Sequence, residues 1–254
     1  MLQDERRAII ANRLEKFGVV KVADLSKELN ATEVTIRHDL DELQNQGLAV
    51  RIHGGAKIKY LSGVKMTLEE NAAKSVKERK IISEFAYSMV ENNDSLILDS
   101  SATVLTFARL LKEDPFENLT ILTTSLPVFN ELIEVRNYSV ILIGGKYNRN
   151  LMSTNGPLSY LLLRNIHVDK AFMGVAGIDI RNGLTGPYEE ETEIKKLSIE
   201  CADRSVLLAD HSKFGRCFLY SFGRLEDVDS IITDTRPDER FIEKLGFAGV
   251  DLMY

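Results

Sequence analysis

Two sets of residues have the types and spacing to do chemistry. The first lies within residues 32–57: Thr32, Val34, Thr35, Arg37 and His38, followed by Arg51, His53, Gly54 and Lys57. A guanidinium can meet guanine or a phosphate, hydroxyls can donate to phosphates, and a valine can meet a thymine methyl. The second set follows residue 95. It comprises Asp99, Ser100, Ser101, Ala102 and Thr103; Thr123, Thr124 and Ser125; Gly144 and Gly145; and Gly177, Glu193 and Lys213. Hydroxyls and unpaired N–H groups at a helix start favour an anion, because exposed donors and helix dipole act together. Glycines let backbone approach a ligand, a lysine supplies a point charge, and carboxylates can take sugar hydroxyls. Together these point to a small, phosphorylated, polyhydroxyl ligand.

The elements that must position the first set are three short helices and a hairpin. Ile9, Ile10 and Leu14 predict a helix over 5–17 stopped by Gly18, and Val22, Leu25 and Leu29 predict a second over 22–29. Thr32 is a good N-cap for a third, whose core stripe is Ile36, Leu40 and Leu43 and whose stop is Gly47. At about 100° per residue, the opposite face carries Val34, Asp41 and Asn45, with His38 close by and Thr35 and Arg37 on its flanks. A buried stripe, a short turn and a mixed polar face are the pattern of a helix-turn-helix. Leu48, Val50 and Ile52 then alternate with Arg51 and His53 before a Gly-Gly turn at 54–55, which predicts a hairpin with a basic face, a wing. Three short helices also occur in domains that bind no DNA; the ordered set, not any one piece, carries the reading.

The second set stands at successive strand ends. Residues 59–75 have no strong periodicity and read as a linker, and helix resumes near Val76 with Ile81, Ile82, Phe85, Met89 and Val90 on one face. From residue 95 onward, apolar strands at 95–98, 119–123, 139–143, 170–175, 206–209 and 230–233 alternate with helices at 102–112, 126–135, 157–165, 190–202 and 238–245. That alternation predicts a doubly wound α/β sheet, with ligands at the carboxyl ends of its strands. Singly, a Ser-Ser or Thr-Thr after a strand is also an ordinary N-cap, and Gly-Gly an ordinary turn.

Composition narrows the class. The 254 residues suit a small domain of 1–58, a linker of 59–75 and a larger domain of 76–254. The formal charge of −6 belongs to the second part: residues 1–58 hold nine Lys/Arg and nine Asp/Glu, against 23 and 29 in the remainder. Local charge decides phosphate contact, and Arg51, His53 and Lys57 cluster. The start of the chain lacks a secretory pattern, and no apolar run approaches the roughly 18 residues of a membrane span. A cytoplasmic protein with no membrane partner is expected, with Cys201 and Cys217 reduced. There is no Cys/His zinc pattern, no P-loop and no GxGxxG, so neither metal nor nucleotide cofactor is expected.

With both halves read, the chain resembles the DeoR family of bacterial transcription regulators over essentially its full length. The stretches that carry it are Thr35-Ile-Arg-His-Asp-Leu40, Gly47–Ala56 ending in His-Gly-Gly-Ala, Leu98-Asp-Ser-Ser-Ala-Thr103, Gly144-Gly145 and Gly156-Pro157. Glu190-Glu-Thr-Glu-Ile-Lys195 and Asp210-His-Ser-Lys-Phe-Gly215 complete the set. The resemblance implies a winged helix-turn-helix followed by a sensor domain similar in fold to ribose-5-phosphate isomerase. It also implies double-stranded operator DNA and a sugar-phosphate effector as partners, and most often repression relieved by the ligand. Paired half-sites imply a homodimer or homotetramer. Two departures stand out. His38 occupies a position that is usually basic in the family, so contact there should be weaker and pH-sensitive. Ser101 and Ala102 replace a glycine and a hydroxyl residue of the first phosphate loop, and Ser101 costs backbone freedom if φ must be positive.

In the expected mechanism, the phosphate docks at Ser101–Thr103, Thr123–Ser125 and Lys213, while Asp99 and Glu193 bind hydroxyls. The alternative is a sugar-phosphate isomerase-like enzyme with an accessory DNA-binding domain. It needs a carboxylate base near a carbon-bound proton, for which Asp99, Asp210 and Glu193 with Lys213 are available. Acids at strand ends also bind hydroxyls, and a sensor must leave its ligand unchanged, so no catalytic residue is assigned.

Overall fold

The computed structural model describes residues 3–17, 19–45, 49–58, 68 and 75–254. Gly18, Gly47, Leu48 and nearly all of the expected linker lie outside them. The chain divides into two compact units, 1–61 and 62–254.

In the first unit, α1 (Gln3–Phe17), α2 (Val22–Glu28) and α3 (Glu33–Asn45) pack around Ile10, Leu14, Val22, Leu25, Ile36, Leu40 and Leu43. These are the residues that helical spacing places on one stripe of each helix, as burial of an amphipathic face requires. The turn between α2 and α3 puts Asn30 at φ +47, and Ser26 Oγ donates to the Ala31 carbonyl at 2.7 Å. Thr32 Oγ1 then accepts from the Thr35 N–H at 3.2 Å, so the expected cap starts α3.

Strands β2 (Ala49–Ile52) and β3 (Gly55–Ile58) form the hairpin, with Ile52 paired to Gly55. The turn residues are therefore His53 and Gly54, one position earlier than the Gly-Gly turn expected from the sequence. Gly54 takes φ +77, and Gly55 is a strand residue pressed against the Val20 carbonyl, where a Cβ has no room. A third strand, β1 (Val19–Lys21), pairs with β3. At three residues it is too short for an alternation to announce it.

In the second unit, α4 (Val76–Tyr87) precedes a seven-stranded sheet in which every neighbouring pair is parallel. Its strands are β4 (Ser95–Leu98), β5 (Leu119–Thr123), β6 (Tyr138–Leu142), β9 (Val168–Gly174), β12 (Ala202–Leu208), β14 (Ser230–Ile232) and β15 (Asp251–Met253). Their order is β15-β14-β12-β9-β4-β5-β6. One face buries Ile82, Leu96, Leu98, Val104, Phe107 and Val128 against α4, α5 (Ala102–Glu113) and α6 (Leu126–Leu132). The other buries Ile97, Leu163, Ile194, Leu197, Phe241 and Leu245 against α7 (Pro157–Leu163), α8 (Glu189–Glu200) and α9 (Glu239–Ala248). Alternate residues of β4 thus serve opposite cores, which is why its sequence is apolar throughout.

Sequence spacing did not announce β15, the hairpin of β7 (Lys146–Asn148) and β8 (Ser153–Asn155), or the small sheet of β10 (Gly177–Asp179), β11 (Gly183–Gly186) and β13 (Tyr220–Gly223). Cys201 and Cys217 are free thiols, and burial pushes Cys201 up to about 11. No described helix is long and apolar enough to cross a membrane.

Candidate functional sites

The solvent face of α3 carries the first site. Val34 is 75% exposed, and Arg37, His38, Asp41 and Asn45 are exposed with it, while Ile36 and Leu40 are fully buried beneath. Arg37 Nη2 rests on Glu33 Oε2 at 3.1 Å, both side chains about half exposed. Such a surface pair contributes only about 0.3–0.5 kcal/mol, so Arg37 can exchange Glu33 for a base or phosphate at little cost. Thr32 is occupied as the cap, with its hydroxyl 2.9 Å from that of Thr35.

The wing differs from expectation. Arg51 does not project as a free basic group: its Nε sits 3.1 Å from Asp41 Oδ1, its N–H donates to Gln44 Oε1 at 2.8 Å, and it docks β2 onto α3. His53 and Gly54 form the exposed tip, and Lys57 on β3 is half-buried. One residue that the sequence reading missed holds the unit together. Asp39, 1% exposed, accepts from Arg6 Nε at 2.5 Å, Arg6 Nη2 at 3.3 Å and Arg7 Nε at 3.2 Å. Burial would be costly for this carboxylate unless so paired, and the pairing fixes α1 against α3.

The second site is a shallow, narrow cleft at the carboxyl edge of the large sheet, lined by Asp99, Ser100, Thr124, Ser153, Thr154, Asn155, Glu191, Ile194 and Lys195. Asp99 follows β4 and is buried. Its Oδ1 accepts from the Ser101 N–H at 2.8 Å, its Oδ2 accepts from the Gly174 N–H at 2.9 Å, and Lys195 Nζ bonds the same Oδ2. Lys195, only 3% exposed, also lies 3.1 Å from Glu191 Oε1 one helical turn earlier. Burial alone would lower the Lys195 ammonium. The Asp99 and Glu191 carboxylates outweigh it and hold the pKa above the ordinary lysine value. Beside this trio, Asn155 is 4% exposed, and its Nδ2 has no hydrogen-bond partner. A buried donor without an acceptor costs about 1–3 kcal/mol; here it lines a cleft where a ligand oxygen could receive it.

Of the thirteen residues expected to bind a ligand, the cleft gathers Asp99, Ser100 and Thr124. Ser101 instead caps α5, accepting from the Val104 N–H at 3.2 Å with φ −78, so the anticipated backbone cost does not arise. Ala102 opens that helix, and Thr103 is buried on it. Thr123 Oγ1 donates to the Leu98 carbonyl at 2.7 Å and accepts from the Ser125 N–H at 3.0 Å, while Ser125 caps α6.

Gly145 and Gly177 serve close packing, while a Cβ on Gly144 would meet nothing. The Gly144 carbonyl accepts from Ser159 Oγ at 2.7 Å; a Cβ on Gly145, at φ +154, would strike Ser159 and come within 2.6 Å of the Asn155 carbonyl oxygen. Gly177 lies beneath the Arg216 carbonyl. Glu193 points elsewhere and pairs with Arg164 at 3.4 Å, and Lys213 pairs with Asp210 at 3.6 Å; neither lines the cleft. The i, i+4 spacing of Glu191 and Lys195 was visible in the sequence. Nothing local revealed Ser153, Thr154 and Asn155, because β8 is three residues long.

Comparison with known proteins agrees with this division of labour. The family model for a DeoR-like helix-turn-helix domain matches residues 6–60, and that for the DeoR C terminal sensor domain matches residues 74–235. The chain is 33% identical to the HTH-type transcriptional regulator GolR of Listeria innocua, covering 98% of each chain. It is 31% identical to the HTH-type transcriptional repressor GlcR of Bacillus subtilis, covering 100% of this chain and 96% of that one. A ribose-5-phosphate isomerase solved with phospho-erythronic acid is similar at a TM-score of 0.41 and 18% identity, over 55% of this chain and 54% of its own, too loosely to bear on chemistry. With both its DNA-reading and its sensor regions matched, this chain belongs to the DeoR family of transcription regulators.

Proposed function

We propose that the protein represses a sugar-metabolism operon and that a phosphorylated sugar, seated in the Asp99–Lys195–Asn155 cleft, lowers its affinity for operator DNA. The observation that carries this reading is the unpartnered Asn155 amide beside the buried Asp99–Lys195–Glu191 trio, at the edge of a parallel sheet where ligands bind. Carboxylates and an amide suit hydroxyls. Asp99 has both oxygens engaged by Ser101, Gly174 and Lys195, which makes it an organiser of the cleft, not a free base. That engagement favours a sensor over an isomerase.

On the DNA side, Val34, Thr35, Arg37 and His38 read the major groove, and the His53–Gly54 tip and Lys57 meet the backbone. Thr32 and Arg51 hold the helix and wing in place. A homodimer or homotetramer presents two such heads to paired half-sites, residues 59–75 serve as the linker, and the protein acts in the cytoplasm. Tenfold release of operator needs about 1.4 kcal/mol of coupling.

The test is direct. Operator fragments are selected from genomic DNA by the purified protein, and their binding is titrated with pentose and hexose monophosphates. One such compound should weaken binding at least tenfold and emerge chemically unchanged. Turnover at an enzymatic rate, or indifference of DNA binding to every member of the panel, would overturn the proposal.

A further inference from the structure

The two outer strands of the large sheet are guarded unequally. At one edge, β15 is three residues long, and its Asp251 carries a charge that pairs with Arg204 Nη2 at 3.1 Å. At the other, β6 runs five residues, Tyr-Ser-Val-Ile-Leu, with neither a charge nor a proline. Among the described residues no strand pairs with its outer side. Unpaired N–H and C=O groups along an apolar edge are a template for another strand, which is why edges ordinarily carry charges, prolines or bulges. Ser139, Ile141 and Leu142 of β6 are all exposed.

Helix α7 adds to the same edge. Its Ser159 and Leu163 are buried, and Ser159 Oγ donates to the Gly144 carbonyl at 2.7 Å, which fastens the helix to the chain just beyond β6. Leu158, Leu161 and Leu162, at i, i+3 and i+4, form the opposite face, where Leu158 is 72%, Leu161 62% and Leu162 36% exposed. On the strand, Ile141 shares a side of the sheet with Ile143, in the core that α7 covers, and Leu142 takes the other side. Together these five side chains expose roughly 400 Å², the size at which an apolar patch on a soluble protein marks an interaction site.

We infer that this edge is where two copies of the chain meet: β6 pairs antiparallel with its own copy about a two-fold axis, joining two seven-stranded sheets, and the α7 leucines of each copy cover the join. A second copy is the occupant because the patch complements itself. An unprotected strand is satisfied by another strand, and a two-fold axis brings the same five side chains from each side. The doubled patch offers roughly 800 Å² of apolar surface; at the apolar share of about 65% found in homodimer interfaces, the whole contact reaches about 1,200 Å², the lower bound of a stable and specific one. This rests on the homo-oligomer reading above and supplies its interface. Strand β8, with Asn155, leads through Gly156 directly into α7, so the contact adjoins the ligand cleft in the chain.

The experiment follows the full chain by sedimentation velocity over a range of concentrations, with the variants Ile141→Lys and Leu161→Glu. Phe247→Glu is the control, since Phe247 is 90% exposed on α9 and lies outside the patch. Amide exchange in β6 is measured in the parent protein at low and high concentration, so the test does not depend on the variants folding. The parent should associate, each patch variant should weaken association at least tenfold, and Phe247→Glu should leave it unchanged. Protection of the β6 amides should rise with parent concentration. A tetramer cut to a dimer by either patch variant would support the same contact as one of two. Association untouched by both variants, with β6 exchange independent of concentration, would overturn this interface while leaving a two-headed oligomer intact. A parent that stays monomeric and binds operator as a monomer would overturn both readings. Strong β6 protection in such a monomer would assign the edge to another part of the same chain.

Discussion

Asp39 and Asp99 are both carboxylates buried to within a few per cent and held by cations, yet they do different work. Asp39 is gripped by Arg6 and Arg7, whose side chains still reach solvent at 13% and 18% exposure. All of its bonding fastens one helix to another. Asp99 is held by a lysine as buried as itself, and beside that lysine an amide has no partner and a cleft stands open. A buried ion pair alone is thus no sign of a site; unspent hydrogen-bonding capacity next to it is.

The contrast can be broken by substitution, the largest effect first. Lys195→Met strands Asp99 without its counter-charge and should cost the sensor unit about 3–5 kcal/mol in denaturant unfolding, with Asp99→Asn in the same chain restoring part of it. A loss no larger than that of a surface substitution would mean the pair is not a fixed part of the fold. Asp39→Ala should cost less, about 1.5–3 kcal/mol, because Arg6 and Arg7 can turn to water. Faster amide exchange in α1 and α3, with exchange in the large sheet unchanged, is the signature to look for.

Arg37→Ala leaves both buried pairs untouched and should weaken operator binding by about 1–3 kcal/mol if it reads a base. Equal loss on random DNA would make it a phosphate contact instead. Asn155→Ala removes the unspent donor, so stability should hold or rise while effector affinity falls about tenfold, or about 1.4 kcal/mol; unchanged affinity in calorimetry would take Asn155 out of the site.

The smallest effect is that of acid. Donation from the Ser95 hydroxyl and N–H holds Asp169 below the usual carboxylate range. Asp210 is also lowered: burial opposes this, but Lys213 and Ser212 outweigh it. Both carboxylates therefore bind protons more weakly folded than unfolded. Their contribution is complete above a pH of about 4 and fades as pH falls through that range. Asp169→Asn should flatten the acid limb of stability measured by urea unfolding.

The helices of the head were legible because Ile36, Leu40 and Leu43 repeat at a period set by backbone geometry, leaving Val34, Arg37 and His38 facing away. The parallel sheet was legible for the same reason: apolar runs separated by helices have few ways to be buried. Residues that act locally were located without their role being decided, since Ser101 and Ser125 look alike in sequence whether they cap a helix, as they do here, or hold a ligand.

The partners of the cleft were not legible at all. Asp99 and Lys195 lie 96 residues apart in the chain, and nothing near either one indicates the other. Asn155 comes from a three-residue strand, too short for an alternation to announce it. The sequence by itself determined the two units, their periods and the face of α3 that meets solvent, because these follow from local spacing and the need to bury apolar stripes. Which charges meet and which donor is left unspent were decided only by tertiary structure, because those are properties of distance in space and of burial, and neither is written in the order of residues.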